Sequence, residues 1–358
     1  MAQPARSNPQ TSQPLPYHRS FRQPRYDLND KTVLITGGTG SFGKQLVRLV
    51  CDEFKPAKLI IFSRDELKQY EMAQVFNPAE HTFMRYFIGD VRDRSRLEQA
   101  MRGVDVVIHA AALKHVPIAE YNPFECIKTN VMGAENVVRA AIAAGVQRVC
   151  ALSTDKAANP INLYGASKLA SDKIFAAASA MGGEDGPLFC VVRYGNVVGS
   201  RGSVAPFFQK LVDEGAHELP ITDARMTRFW ITLPQAVDFV LSSLAMARGG
   251  ETFVPKIPSM STIEMANTIA PGLKHRIVGI RPGEKLHETM VPADDAHSTL
   301  ELEDRYVILP SHDNSARQSY LDDSARPVPS GFTYASDSNP EHLDARGLQM
   351  LLQQKFNA

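Results

Sequence analysis

The residues best suited to chemistry lie in residues 153–168, STDKAANPINLYGASK. Tyr164 and Lys168 are four positions apart, which places both side chains on one face of a helix. An ammonium one turn from a tyrosine stabilises the phenolate and lowers the tyrosine pKa, so the pair can act as a base. The same spacing also fits an ordinary amphipathic helix with an exposed lysine, and the surrounding elements must decide between these interpretations.

Three further side chains extend this chemistry toward the start of the stretch. Thr154 can hydrogen-bond a substrate hydroxyl that Tyr164 deprotonates. Asp155 and Lys156 form a second acid–base pair beside the first. Two pairs of residues that can transfer protons within one segment predict a reaction of more than one step.

A glycine-rich loop near the start of the chain predicts a nucleotide site. Residues 31–51, KTVLITGGTGSFGKQLVRLVC, have the pattern of an apolar strand, a glycine turn and an apolar helix, as at the start of a dinucleotide-binding domain. Gly37 and Gly40 allow the backbone to approach a pyrophosphate, and Gly43 allows the helix to pack closely on the sheet. The helix N-terminus then presents free amides to the phosphates.

The end of the second predicted strand indicates which dinucleotide is bound. Ser63 and Arg64 follow residues 58–62, at the position where an Asp or Glu would hold an NAD ribose hydroxyl. Serine and arginine suit a 2′-phosphate better, and Lys68 lies one turn further on. We therefore predict NADP as the cofactor, and the alternative is a solvated Arg and Lys at a helix start.

Further apolar runs alternate with helical patterns through residue 200. They lie at 85–88, 104–109, 149–152 and 189–193. This alternation predicts an α/β fold with a doubly wound parallel sheet, which binds ligands at the carboxyl ends of its strands. The complete predicted cofactor set is Gly37, Thr39, Gly40, Ser41, Phe42, Gly43, Ser63, Arg64, Lys68, Asp90, Val91, Ala110, Ala111, Asn130, Tyr164 and Lys168.

The predicted domains follow from where this alternation stops. Residues 29–200 form the NADP-binding Rossmann domain, with a returning segment near 229–257. Residues 201–228 and 258–358 form a smaller C-terminal substrate-binding lobe and tail, where arginine-containing turns can clamp a second pyrophosphate. Residues 1–28 are rich in Pro, Gln, Ser and Arg, which predicts a disordered or loosely docked extension.

Composition excludes several classes of function. Lys plus Arg and Asp plus Glu both number 39, which predicts no bulk attraction to nucleic acid or to an anionic membrane. No apolar run reaches the roughly 18 residues of a membrane helix. The four cysteines lack Cys-x-x-Cys spacing and the histidines lack ligand spacing, which predicts reduced thiols, a cytoplasmic location and no metal site.

These motifs together resemble the extended short-chain dehydrogenase/reductase superfamily, and longer segments are similar to its inverting UDP-N-acetylglucosamine 4,6-dehydratases. That group opens the pseudaminic acid pathway and belongs to a wider polysaccharide-biosynthesis group. The similarity covers about residues 31–310 strongly and the tail more weakly. The segments that carry it are SRDELK at 63–68, HAAALKHVP at 109–117, STDKAANP at 153–160 and RPGEK at 281–285.

The resemblance implies a mechanism. Tyr164, assisted by Lys168 and Thr154, removes the C4 hydroxyl proton as hydride passes to NADP+. The resulting ketone acidifies the C5 proton, which Lys156 abstracts while Asp155 assists departure of the C6 hydroxyl as water. Hydride returns to C6, and C5 is reprotonated on the opposite face. A neutral lysine base requires a lowered pKa for Lys156.

The resemblance also implies the substrate UDP-N-acetylglucosamine and a homo-oligomer, either a hexamer or a dimer. The implied substrate contacts are Lys114, Asn196, Arg228, Arg281 and Glu284, with the arginines on the UDP diphosphate.

Two alternatives stay open. A retaining dehydratase, which carries Glu where this chain has Lys156, or a nucleotide-sugar C4 epimerase would use the same fold. An epimerase needs Tyr164 and Lys168 but has no use for Asp155 and Lys156. A non-catalytic NADP-binding scaffold is the second alternative, and such proteins typically lose the tyrosine or the lysine that this chain keeps.

Overall fold

The structure is a computed structural model that describes residues 19–183, 185–199, 203–310 and 314–356. Its strands are β1 (Thr32–Thr36), β2 (Lys58–Ser63), β3 (Met84–Ile88), β4 (Val106–His109), β5 (Arg148–Thr154), β6 (Leu188–Tyr194), β7 (Asn196–Val197), β8 (Glu218–Ile221), β9 (Thr227–Ile231), β10 (Glu251–Pro255), β11 (Ser259–Ser261), β12 (Lys274–Ile277), β13 (Thr289–Val291), β14 (Thr299–Glu301), β15 (Arg305–Ile308), β16 (Arg326–Pro327) and β17 (Tyr334–Ala335).

The α-helices run between these strands. They are α1 (Ser41–Glu53), α2 (Glu66–Val75), α3 (Arg94–Ala100), α4 (Val116–Tyr121), α5 (Pro123–Ile127), α6 (Gly133–Ala144), α7 (Leu163–Met181), α8 (Val204–Asp213), α9 (Leu233–Met246), α10 (Thr262–Ile269), α11 (Asn314–Asp322) and α12 (Ala345–Phe356). Shorter helical turns are a π-helix at Lys128–Met132 and 3₁₀-helices at Asp155–Ala157 and Ala293–Ser298.

A large, mostly parallel sheet confirms the predicted α/β doubly wound fold. Its parallel part has the strand order β3-β2-β1-β4-β5-β6-β10. Residues on β1 alternate between two apolar cores, because Val33 and Ile35 pack with α1 and α9 on one face while Leu34 packs with α6 and α7 on the other. Each predicted strand is present with its bounds shifted by no more than two residues.

The end of the sheet differs from the predicted domain division. Strands β14, β15 and β16 continue the main sheet beyond β10 in antiparallel pairs, although the sequence analysis places residues 258–358 in the lobe and tail. Strand β15 is buried along its length, so its short apolar run completes the sheet core. The smaller lobe holds β7, β9 and β11 in one sheet and β8 and β12 in another, with α8, α10 and α12 against them.

Part of the predicted N-terminal extension packs into the core. Phe21 and Leu28 are fully buried, and the Phe21 ring meets Phe239 edge-on at 4.9 Å between centroids. Arg22 and Arg25 pair with Glu53 at the end of α1. Residues 19–28 are therefore docked by two apolar anchors and flanking ion pairs, whereas residues 1–18 lie outside the described residues.

We expect Phe21→Ala to lower the free energy of unfolding by about 3–5 kcal/mol, because it removes a fully buried ring and leaves a cavity. Chemical denaturation of the full chain measures this loss. Phe124→Ala is the matched control, since that ring is 78% exposed and its loss should stay within about 0.5 kcal/mol. Equal, small losses in both variants would show that the extension is only loosely attached.

No helix within the described residues combines the length and the apolar character that crossing a membrane requires.

Candidate active site

A cleft of about 780 Å³ opens at the carboxyl ends of the parallel strands. It brings together most of the residues that the sequence analysis selected. The predicted residues that line it are Gly37, Thr39, Gly40, Ser41, Phe42, Gly43, Ser63, Arg64, Lys68, Asp90, Val91, Ala110, Ala111, Lys114, Thr154, Lys156, Tyr164, Lys168 and Asn196.

The glycine loop between β1 and α1 has the backbone that a pyrophosphate site needs. Gly37 has a φ of +66°, and a Cβ there would lie 2.8 Å from the Cα of Ala111. A Cβ on Gly43 would lie 2.1 Å from the carbonyl oxygen of Gly38, so the helix can pack closely on the loop only with glycine. The first turn of α1 carries no acidic residue, which leaves its amides available to phosphate oxygens. The cradle therefore fits a dinucleotide.

The far end of the cleft carries the basic residues predicted for the 2′-phosphate. Arg64 is about half exposed, and its Nη1 lies 3.7 Å from a carboxylate oxygen of Asp90. The Nζ of Lys68 donates to Asp65, which also caps α2 by accepting from the backbone N–H of Lys68. The Ser63 hydroxyl pairs with Thr39 at 3.1 Å. Arg64 thus has the most freedom to turn toward a phosphate.

Asn130 does not line the cleft, in contrast to its predicted cofactor role. Its side-chain amide accepts from the backbone N–H of Leu113 at 2.8 Å and donates to the Leu113 carbonyl at 3.0 Å and to Ser167 at 2.9 Å. The residue is buried in the π-helix at Lys128–Met132, so its polar groups are used within the protein. Asn130 holds the loop after β4 against α7.

Tyr164 and Lys168 lie on α7 and both face the cleft, as the spacing predicts. The Nζ of Lys168 donates to the Leu152 carbonyl at 2.7 Å, and burial lowers the pKa of this lysine while Asp172 opposes the effect. Burial raises the pKa of Tyr164 to about 12, although Lys156 and a hydrogen bond with Thr154 act to lower it. The expected lowering of the tyrosine pKa by Lys168 is therefore absent in this arrangement, because burial outweighs the nearby charges.

Asp155 and Lys156 lie in the 3₁₀-helix that follows β5. Asp155 is fully buried, and one of its carboxylate oxygens accepts from the Thr154 hydroxyl at 2.9 Å and from the Lys156 ammonium at 3.0 Å. Helix α7 packs tightly on this turn, because a Cβ on Gly165 would lie 2.2 Å from the Lys156 carbonyl oxygen. The two predicted acid–base pairs are consequently held next to each other.

Lys156 has a second carboxylate partner that the sequence analysis missed. Glu288 precedes β13, is 1% exposed and lies 3.3 Å from the Lys156 Nζ. Burial alone would lower the pKa of Lys156, but Asp155 and Glu288 outweigh it and raise that pKa. The expectation of a lowered pKa is therefore wrong for this arrangement, in which Lys156 is an ammonium. A buried glutamate far away in sequence carried no spacing signal, and only its place just after RPGEK could have drawn attention to it.

The predicted diphosphate clamp lies outside the lining of the cleft. Arg228 is buried and donates to the carbonyl oxygens of Lys285 at 2.9 Å and Leu286 at 3.0 Å, so its guanidinium fixes the loop instead of standing free for a ligand. Arg281 is largely exposed and lies 3.7 Å from Glu284.

The same loop is tied to the catalytic segment. The Nζ of Lys285 donates to the Ala158 carbonyl at 2.5 Å, and Asn162 donates to the Gly283 carbonyl at 2.7 Å. These contacts hold the loop against residues 158–162, and the Arg281 side chain does not line the cleft. Within the described part of the chain, no group of three or more His, Cys, Asp and Glu side chains is arranged to hold a metal.

Comparison with known proteins assigns the chain to a family of nucleotide-sugar and polysaccharide biosynthesis proteins. Residues 33–310 match the model of a family described as polysaccharide biosynthesis protein. The chain is 60% identical over 318 residues to the UDP-N-acetylglucosamine 4,6-dehydratase (inverting) of Campylobacter jejuni subsp. jejuni serotype O:2, covering 87% of this chain and 94% of the relative. It is 45% identical over 287 residues to a UDP-glucose 4-epimerase of Rickettsia bellii, covering 78% and 83%.

Solved structures agree with the fold. The X-ray structure of Pen from Bacillus thuringiensis has a TM-score of 0.83 at 35% identity and covers 92% of this chain and 99% of its own. DesIV, a dTDP-glucose 4,6-dehydratase from Streptomyces venezuelae with NAD and TYD bound, has a TM-score of 0.61 at 25% identity and covers 71% and 86%.

Proposed function

The chain belongs to the polysaccharide biosynthesis protein family, and from this premise we propose that it dehydrates UDP-N-acetylglucosamine across C4, C5 and C6 with inversion at C5. The product is UDP-2-acetamido-2,6-dideoxy-β-L-arabino-hexos-4-ulose, and the enzyme is a hydro-lyase. One observation carries the proposal: Thr154, Lys156, Tyr164 and Lys168 line one cleft, and the buried Asp155 lies directly behind them, hydrogen-bonded to Thr154 and Lys156.

The glycine loop and the end of β2 would hold a nicotinamide dinucleotide in this cleft, as supported by the NAD in DesIV, and the cofactor would supply the hydride acceptor for C4 and the hydride donor for C6. Burial keeps Tyr164 protonated at rest, so Tyr164 must first release its own proton to water in the cleft, and the phenolate that results then takes the C4 hydroxyl proton. The hydrogen bond with Thr154 and the charge of Lys156 stabilise that phenolate. Lys168 is held at the inner wall by the Leu152 carbonyl.

The second acid–base pair performs the elimination. Once C4 is a ketone, the C5 proton is acidic, and Lys156 removes it after passing its own proton to the Asp155 carboxylate, which lies 3.0 Å from the Lys156 Nζ. Asp155, fixed by Thr154 and Lys156, then gives this proton to the C6 hydroxyl, which departs as water. After hydride returns to C6, a proton from solvent adds to C5 on the face opposite Lys156, which inverts that centre.

Asp155 and Lys156 also separate this function from its nearest rival. A UDP-sugar C4 epimerase removes and returns one hydride at C4, so it needs Tyr164 but no base for C5. Here Lys156 lines the cleft between two buried carboxylates, which supports its proposed role as the base for C5. A retaining dehydratase would use a carboxylate in place of Lys156 and would return the proton to the same face.

We propose NADP as the specific cofactor, supported by Ser63, Arg64 and Lys68 at the end of β2. Arg64→Ala should weaken NADP+ binding about 10- to 100-fold by removing charge-assisted hydrogen bonds, while NAD+ binding stays unchanged. Isothermal titration with both cofactors measures this difference. Arg85→Ala is the control, because Arg85 donates to backbone carbonyls at the other end of β3. Equal losses of affinity for NADP+ and NAD+ would contradict the proposal that Arg64 binds the 2′-phosphate.

The wider setting of the reaction is also part of the proposal. By family resemblance the product enters pseudaminic acid or another surface-glycan pathway, and the protein forms a homo-oligomer, either a hexamer or a dimer. A cytoplasmic location is supported by four free cysteines, three of them buried.

Mass spectrometry of the nucleotide sugar tests the proposed function. Incubation with UDP-N-acetylglucosamine and NADP+ should yield a product lighter by one water, without net reduction of the cofactor. A product of unchanged mass with altered C4 configuration would identify an epimerase instead.

A further inference from the structure

Glu288 lies at the centre of a buried charge cluster beside the cleft. Its Oε1 is 3.3 Å from the Nζ of Lys156 and 3.8 Å from the Nε of Arg228, while its Oε2 is 3.6 Å from the Nζ of Lys285. With Asp155, the cluster holds two carboxylates and three cations. A carboxylate that is 1% exposed and unpaired would be costly, and these contacts give it three cationic partners.

The backbone of Glu288 is anchored on both sides. Its N–H donates to the Ser336 hydroxyl at 2.9 Å, and its carbonyl accepts from the Ser336 N–H at 2.8 Å. This anchor lies next to β17, which pairs with β13. The carboxylate is therefore aimed at Lys156 by a rigid part of the fold.

We propose that Glu288 is a positioning residue that holds Lys156 as an ammonium at rest and sets the pH at which this lysine becomes a base. The proposal deepens the proposed function, since it assigns the control of the C5 base. Lys156 lies between Asp155 on its own turn and Glu288 before β13, so two carboxylates stabilise its ammonium form. The three other groups that face it are Arg228 from β9, Tyr164 from α7 and Lys285 from the loop after residue 280.

The carboxylates of Asp155 and Glu288 have different roles in this arrangement. Asp155 also accepts from Thr154, which ties it to the leaving-group chemistry. The Glu288 carboxylate forms ion pairs with Lys156, Arg228 and Lys285, and so acts on the reaction through Lys156. Removing its charge leaves three cations facing one carboxylate. Lys156 must then lose its proton at lower pH.

Competitive labelling with acetic anhydride tests the proposal without turnover. Peptide mass spectrometry follows acetylation of Lys156, which is 24% exposed, as a function of pH. Glu288→Gln should lower the pH of half-labelling by about 1–3 units, which is about a 10- to 1,000-fold higher labelling rate at fixed pH. Glu288→Asp, which keeps the charge, should move it far less. Lys256 in the same samples is the internal control, because its partner Glu301 is unchanged.

The wild-type protein provides a second measurement that needs no variant. Lys156 should be half-labelled at higher pH than the exposed Lys210. A lower midpoint for Lys156, or a Glu288→Gln midpoint equal to the wild-type value, would overturn the proposal. Both labelling midpoints can be measured even if the protein does not dehydrate UDP-N-acetylglucosamine. Failure to dehydrate this substrate would contradict the proposed function but not the proposed role of Glu288.

The pH–rate profile adds a kinetic readout. The measured quantity is kcat for deuterium exchange at C5 in D2O as a function of pH. In Glu288→Gln the acidic limb of this profile should move to lower pH, in parallel with the pH of half-labelling of Lys156. A merely structural role would lower kcat at every pH and leave the limb in place. Glu251→Gln is the matched control, since this buried glutamate lies on β10 and binds backbone N–H groups far from the cleft.

Discussion

Lys156→Arg is expected to abolish C5 chemistry, with product formation reduced about 100- to 10,000-fold, while the fold and dinucleotide binding are retained. Arginine keeps a positive charge between Asp155 and Glu288, so the buried carboxylates stay paired. A guanidinium does not lose its proton in proteins and therefore cannot remove one from C5. The substitution separates the base function of Lys156 from its charge.

Two measurements are needed for this prediction. Deuterium incorporation at C5 in D2O should disappear in Lys156→Arg, and titration should show unchanged NADP+ affinity. Lys256→Arg is the control, because Lys256 makes one ion pair with Glu301 away from the cleft. Near-normal turnover by Lys156→Arg would mean that Lys156 serves only as a charge and that another group is the base.

Tyr164→Phe is expected to stop the reaction one step earlier. Without the hydroxyl, no group takes the C4 hydroxyl proton, so hydride transfer should slow by about 100- to 10,000-fold. Tyr164 is buried and its ring stays in place as phenylalanine, so cofactor binding and stability should change little. The nicotinamide absorbance in a single turnover measures hydride transfer directly.

Comparison with Lys156→Arg orders the two steps. Lys156→Arg should still form the reduced nicotinamide on adding substrate, whereas Tyr164→Phe should not. Tyr70→Phe, on the exposed face of α2, is the control and should behave as wild type. Rapid nicotinamide reduction by Tyr164→Phe would assign the C4 proton to a different residue.

The sequence predicts the cleft well because its residues are local to strand ends. Gly37, Ser63, Ala110 and Thr154 each lie at the end of a strand of one parallel sheet or directly after it, so finding the strands also brings these residues to one edge. The same logic places Tyr164 and Lys168, which lie one turn apart on the helix after β5. Local pattern and sheet topology are sufficient for this part.

Features that depend on long-range packing were not predictable in this way. Glu288 reaches Lys156 through the pairing of β13 with β17, and no spacing in the chain encodes that approach. Arg228 resembled a phosphate ligand in sequence, yet the loop carbonyls of Lys285 and Leu286 use its donors. Phe21 lies in a polar segment whose composition conceals its burial against Phe239.

The protonation of Lys156 illustrates the same limit at the level of chemistry. A neutral lysine base requires a lowered pKa for Lys156, but Asp155 and Glu288 together raise that pKa. Counting the charges around a buried group requires the folded chain. The sequence alone identifies only the charged residues that are close to Lys156 along the chain.

Proton NMR of UDP-N-acetylglucosamine with the protein and NADP+ in D2O tests the central claim most directly. The account predicts a new C6 methyl group, deuterium at C5 and the coupling constants of the L-arabino 4-keto sugar. The same methyl group with D-xylo coupling constants would contradict inversion at C5 and the role assigned to Lys156. Unchanged substrate in the presence of bound NADP+ would contradict the dehydratase itself.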